Sequence, residues 1–230
     1  MKRELRDILI TPLSPTYWFS TRRHDAAFWA GGPELKGKSI KRSSMMYFIV
    51  SIISLAAVQL IDDWNTSTGY STDPRSIWSL RFYLWVLPSS RCIEMSIAFV
   101  RDALDQFDNI EPTSTLKFRE RVRMLFFSYG EVINNFAIIY FLLPKNYFNC
   151  EFSSILEALY FSGVTIATIG YGDIHPTYGA SQLLVVYEVF CGLALLLVAF
   201  AVYTSQGLGK GTAERNDAGD LSSDKPIEPG

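Results

Sequence analysis

The chain alternates polar stretches with long uncharged runs whose lengths suit a bilayer. No charge interrupts residues 43–61, a length that suits one transmembrane helix. Asp62-Asp63-Trp64 then ends the run with two acids and an aromatic of the kind that sits at a membrane interface. Residues 77–100 form a second, less pure spanning segment carrying Arg81, Arg91, Glu94 and Pro88, and the proline predicts a kink. Residues 124–143 make a third span, and residues 180–204 a fourth in which only Glu188 is charged. Between the last two lies a shorter apolar segment. Ser154-Ile155-Leu156-Glu157 has capping-box spacing, so a helix can start there and run to Thr165. It is too short to cross a bilayer, which needs about twenty residues. A short helix ending at a Gly-rich loop at membrane depth is re-entrant if protein protects it. The pattern therefore predicts an all-α membrane protein with four transmembrane helices and one re-entrant helix and loop.

The loop is Thr168-Ile169-Gly170-Tyr171-Gly172-Asp173. Dehydrating a cation requires many oxygens of modest field arranged in rings, without fixed anions that would hold the ion too tightly. Backbone carbonyls satisfy that requirement when successive residues alternate between ordinary and left-handed dihedrals, and glycine reaches the latter without steric penalty. Gly170 and Gly172 have the spacing for this. The Thr168 hydroxyl can add an oxygen, while Ile169 and Tyr171 turn outward and brace the loop. The chain holds one such loop and no internal repeat, so closed rings require four copies around an axis. The bland alternative, a Gly-rich turn between buried strands, would leave backbone groups unsatisfied between two membrane-length helices.

The segment from Thr165 through Gly172 to Pro176 resembles the signature of the potassium channel family in its two-helix pore form, and the likeness extends over residues 121–205. It implies a homotetrameric channel whose filter binds K+ through the carbonyls of Thr168, Ile169, Gly170 and Tyr171, with Gly172 closing the strand. No cofactor other than the transported ion is implied. Asp173 resembles the outer-mouth acid, with Tyr160 as its aromatic brace. Val164 stands where some bacterial members place a buried glutamate behind the filter, and Ala167 where many have a second threonine. Ile169, in place of the commoner valine, also occurs in weakly selective cation channels, so a poorly selective monovalent cation channel is the alternative. A non-conducting regulatory subunit is a rival from another class, whose mark would be a spoiled filter.

Net charge, −2 over 230 residues, selects no partner, but its distribution does. Lys and Arg number nine in residues 1–42, five in 101–123 and three in the tail, against Arg75 and Lys145 in the two outer loops. The positive-inside rule then puts both termini in the cytoplasm, in a multi-pass protein of the plasma membrane. The divisions expected are an arm (1–42), two accessory helices (43–101), a cytoplasmic loop (102–120), a pore domain (121–205) and a tail (206–230). The arm mixes basic residues with Tyr17-Trp18-Phe19 and Phe28-Trp29, which suits a segment lying on the lipid surface or a partner-docking arm. No signal peptide is visible. The tail is too poor in apolar residues to fold and too short for a sensing domain. Cys92 and Cys191 read as small buried thiols, and Cys150 as an outer one, free or paired between subunits.

Ionisable groups inside a membrane are costly and functional by default. Glu131, Asn134 and Asn135 share one helix face. Arg91 and Glu131 each lie about ten residues, roughly 15 Å, from the cytoplasmic ends of their spans, so Arg91 is expected to pair with Glu131 or Glu94. A static lock is favoured over a moving sensor because breaking a buried pair is expensive. No span repeats Arg or Lys at every third position, which argues against steep voltage gating. Gly192 is either a bending point for a gate or a small residue for close packing. Glu188, one turn away, could brace the short helix or attract cations. His24 and His175 are far apart in sequence, and without a triad, metal cluster or phosphate loop an enzyme is the least supported class.

Overall fold

The computed structural model describes residues 14–68, 78–107, 116 and 118–197. Its described residues are helical throughout apart from loops and one isolated bridge, Phe148 to Pro176. Helix α1 spans Pro15–Thr68, α2 Trp78–Phe107, α3 Phe118–Leu142, the short helix α4 Ile155–Ile166 and α5 Gly179–Leu197. Three of these, α1, α3 and α5, are long and apolar enough to cross a membrane. At 30 residues α2 is long enough too, but it carries Arg81, Arg91 and Glu94 along its length and is not among those three. Pro88 lies within α2 without ending it. The tail, 206–230, lies outside the described residues, as do 108–115 and 117 of the expected loop, whose ends at 102–107 and 118–120 belong to α2 and α3.

The core is centred on α3, whose stretch from Phe136 to Leu143 is buried almost completely. Aromatic rings from α3, the segment that follows it and α4 converge there. Tyr140 meets Phe136, Phe148 and Phe161 at ring-centroid distances of 5.8, 5.6 and 5.1 Å, and Phe152 adds to the same cluster at 5.0 Å from Phe148. Edge-to-face contacts of this kind add about 0.5–1.5 kcal/mol each beyond the area they bury. One apolar face of α3 thus holds α4 against α5, while its opposite face receives α1 and α2.

The described part of the amino-terminal arm, residues 14–42, is helical and folds onto the rest of the chain. Helix α1 is broken at Gly31 and Gly32, where Gly32 takes φ 70° and ψ −160°, a region open essentially to glycine alone. Pro33 then restarts the helix, its fixed φ suiting a first turn. The piece before the break folds back along the piece after it: His24 Nδ1 lies 3.1 Å from Ser39 Oγ. Its beginning docks on α2, where the Ser14 hydroxyl donates to the Ser90 carbonyl at 2.9 Å and Thr16 N–H donates to Ser90 Oγ at 3.2 Å. Hydroxyls at 14, 16 and 20 and the buried Tyr17 find partners within the chain, so this part of the arm is packed against α2. No break occurs at residue 42, so the arm and the first span share one helix. Trp29 and Phe19 still face outward, at 85% and 64% exposure.

Candidate ion-conduction site

Helix α4 starts where the Ser154 spacing predicts and ends one residue beyond Thr165, but its cap differs from the predicted one. Ser154 makes no side-chain cap bond. Glu157 instead accepts from Ser153 N–H and Ser153 Oγ, both at 2.7 Å, so the reciprocal half of the box is displaced by one residue. These bonds hold the Glu157 carboxyl below its usual range. The first free helical N–H, that of Ile155, is satisfied from outside by Gln59 Oε1 of α1 at 3.0 Å, a long-range partner that local spacing does not reveal.

At its other end α4 unwinds into the loop. Thr168 N–H donates to the Thr165 carbonyl at 2.9 Å and Ile169 N–H to the Val164 carbonyl at 3.0 Å, so the chain leaves α4 with its terminal carbonyls partly engaged and its negative end directed toward Thr168. The dihedrals then alternate: Thr168, Gly170 and Gly172 have φ of 56°, 58° and 80°, and the residues between them do not. The two glycines do what their spacing predicts. Thr168 was missed as a left-handed residue. Its position two before Gly170 is the signal, since the alternation continues in phase, and a β-branched residue there is a true outlier. Residues 167–173 are exposed in the single chain, and Ile169 and Tyr171 are 54% and 68% exposed. Tyr171 lies parallel to Tyr160, with centroids 6.5 Å apart.

Beyond the loop, Tyr160 donates to Asp173 Oδ2 at 2.8 Å, which joins the predicted acid to its predicted brace. That bond, more than any other influence, holds the Asp173 carboxyl below its ordinary value. Asn149, not singled out from sequence, secures the strand after the filter: its Nδ2 donates to the Asp173 carbonyl at 2.8 Å and its Oδ1 accepts from His175 N–H at 2.8 Å. A polar residue in an outer loop carries no sequence signal for such a role. Cys150 is exposed, while Cys92 and Cys191 are buried.

Behind the loop, Glu188 of α5 is fully buried. It accepts from Tyr140 Oη at 2.6 Å and from Ser162 Oγ, linking α3, α4 and α5 through one carboxyl. Of the two roles left open for it, this geometry is that of a brace. Gly192 sits against the end of α4. A Cβ there would lie 2.8 Å from Ile166 Cγ1 and 3.1 Å from the Ile166 carbonyl oxygen, so close packing accounts for the glycine.

On the opposite face of α3, Arg91 meets both predicted partners. Its Nε donates to Glu131 Oε1 at 2.9 Å and a terminal nitrogen to Glu131 Oε2 at 3.3 Å, while the other terminal nitrogen lies 2.6 Å from Glu94 Oε2. The guanidinium also covers the Tyr47 ring at 3.7 Å. Asn134 leaves this group and donates to Ser51 Oγ of α1 at 3.1 Å.

Comparison with known proteins agrees with this geometry. A family profile described as "Ion channel" matches residues 129–207. Residues 129–207 are thus similar to ion-channel pore domains, and part of the chain resembles two potassium channels. "Two-pore potassium channel 1" of Arabidopsis thaliana is 37% identical over 60 residues, 26% of this chain and 16% of that one. "Two pore potassium channel b" of Oryza sativa subsp. japonica matches equally, over 17% of its length. The pore domain therefore spans less than a fifth of the curated relatives it matches. No solved structure matches the chain.

Proposed function

We propose that four copies of this chain assemble around the 168–172 loop and pass K+ down its gradient through rings of backbone carbonyls from Thr168, Ile169, Gly170 and Tyr171. The observation that carries the reading is the alternation of φ at 168, 170 and 172, which turns successive carbonyls toward a common side. Gly172 completes the alternation and Asp173 sits at the outer mouth. The exposed apolar side chains of α5, among them Leu183, Phe190 and Leu196 at 72, 64 and 62%, supply a surface of the kind subunits bury. Helices α1 and α2 complete four spans per subunit, with both termini cytoplasmic in a plasma membrane, and the transported ion is the ligand the reading requires.

The test is flux into liposomes holding the purified chain, with K+ and Na+ compared under equal gradients. Rapid K+ entry with little Na+ entry is the expected result. Equal rates would establish the poorly selective channel that Ile169 leaves open, and no flux from intact tetramers would favour a regulatory subunit.

A further inference from the structure

Arg91 and Tyr47 line two chambers formed by α1, α2 and α3. The larger, about 330 Å³, is bounded on one side by the folded-back arm and is lined by Glu94 and by the hydroxyls of Ser20, Ser43, Ser44 and Ser128. The smaller, about 80 Å³, holds Glu131 and Asn135. Three features of this region go beyond a static lock. One guanidinium faces two carboxylates, so these three groups carry one negative charge in excess where the chain is read as lying within a membrane; Arg23 of the arm is a further cation acting on Tyr47 and His24, and an unbalanced buried charge is heavily penalised. Ser43, only 5% exposed, opens into the larger chamber with no hydrogen-bond partner for Oγ among the described residues, and Ser44 Oγ is in the same position. The Asn135 amide nitrogen, on a residue also 5% exposed, is likewise unpartnered beside Glu131. Buried polar atoms are normally satisfied, so these point to something that satisfies them.

We propose that the larger chamber binds a monovalent metal cation of the Na+ or K+ class, held by the Glu94 carboxylate and the surrounding hydroxyls, at a site separate from the conduction loop. The donor set is hard oxygen, the chemistry of alkali cations rather than of zinc or copper. Among the described residues no cluster of three or more His, Cys, Asp or Glu is placed to hold a metal, so strong divalent binding is not favoured. A chamber of this size accommodates the ion with several waters, each of which needs about 30 Å³, and such waters can reach Ser43 and Ser44. Besides Glu94 and Arg91, the titratable groups on the chamber wall are Tyr47 and, contributed by the arm, His24 and Tyr17. The bound cation would balance the excess charge beside Arg91. It would also act on α3, the helix whose Ile133 carbonyl accepts from Ser162 of α4 at 3.0 Å.

The experiment is hydrogen exchange on the purified full chain at fixed pH and ionic strength, with KCl or NaCl replacing choline chloride. Peptides covering 40–47 and 90–98 should exchange more slowly as K+ or Na+ rises, as binding to the folded state requires. Glu94→Gln should abolish that response, and Ser43→Ala should raise the half-maximal cation concentration by about tenfold. Peptides covering 163–175 report the conduction loop separately, so loss of their K+ response alone would count against the proposed function and leave this site standing. No cation effect at 40–47 and 90–98 would overturn the inference. So would a response that survives in Glu94→Gln, or protection gained in choline simply by lowering pH, which would show that a proton balances the triad.

Discussion

The conduction loop and the Arg91 cluster both handle charge, and they do so in opposite ways. Residues 167–172 are exposed and carry no charged side chain, their backbone held in a left-handed alternation at 168, 170 and 172. The cluster uses full charges that are nearly buried and bound to each other, with side-chain exposures of 11, 8 and 2% for Arg91, Glu94 and Glu131. A group that must receive and release an ion has to keep its oxygens unspent and of low field. A group that fastens helices together does better to exhaust its donors locally. The difference teaches that damage to the loop should cost function before fold, and damage to the cluster should cost fold before function.

The largest effect should come from the loop. Gly170→Ala or Gly172→Ala forces a Cβ into the left-handed region, at about 1–2 kcal/mol per residue and about 4–8 kcal/mol over four subunits. Neither position has a neighbouring atom within 4 Å of the added Cβ, so the penalty is conformational and not steric crowding. Flux of K+ or Rb+ into liposomes should fall to background while tetramers still form. Gly163→Ala is the control: that residue lies within α4, also with open space around it and without positive φ, and it should conduct normally. Normal flux in Gly170→Ala would erase the proposed division of roles.

Next in size is the cluster. Arg91→Gln leaves two buried carboxylates without their cation, and breaking a buried pair in this way costs about 3–5 kcal/mol. Glu131→Gln should cost clearly less, because Arg91 keeps Glu94 as a partner. Thermal midpoints of the detergent-solubilised protein measure both. The order matters more than the size. If Glu131→Gln proved the worse variant, Glu94 would not be compensating Arg91, and the excess negative charge would be lost from the account.

Smaller again is the seam between α4 and α5. Gly192→Ala places a methyl 2.8 Å from Ile166 Cγ1, overpacking of the sort that costs about 1–3 kcal/mol. A lower thermal midpoint with K+ over Na+ preference retained would fit packing. Unchanged stability with altered opening would favour the bending point.

What could be read from the sequence divides along the same line. Local chemistry was legible: the glycine spacing gave the loop, the uncharged runs gave α1, α3 and α5, and the matched depths of Arg91 and Glu131 gave their meeting. Groups whose partners come from distant positions were not. Gln59 capping α4, Asn149 holding the strand after the filter and Ser90 receiving Ser14 are contacts between residues 96, 24 and 76 positions apart, with no periodicity to announce them. The fold-back of the arm was not legible for a related reason. The arm's aromatic and basic composition describes a lipid surface well, and the break at Gly31-Gly32 that turns the arm back onto α2 depends on dihedrals that composition does not carry.

The smallest effect belongs to the outer mouth, where the loop borrows a charged side chain. Asp173 accepts from Tyr160, and that bond is the main reason its carboxyl titrates below its ordinary value. A depressed carboxyl contributes stability that is complete above its unfolded value and is lost as pH falls through the lower folded one. In the native protein the charge at the mouth should therefore persist to pH below the usual aspartate range. Tyr160→Phe removes the donor while leaving the ring that lies parallel to Tyr171. The pH at which acid reduces K+ flux should then move upward, toward the ordinary aspartate value, with flux at neutral pH nearly unchanged. Because both side chains are exposed to water the shift should be modest. Acid inhibition that stays put in Tyr160→Phe would mean that Asp173 is held ionised by something other than its tyrosine, or that acid acts elsewhere on the channel.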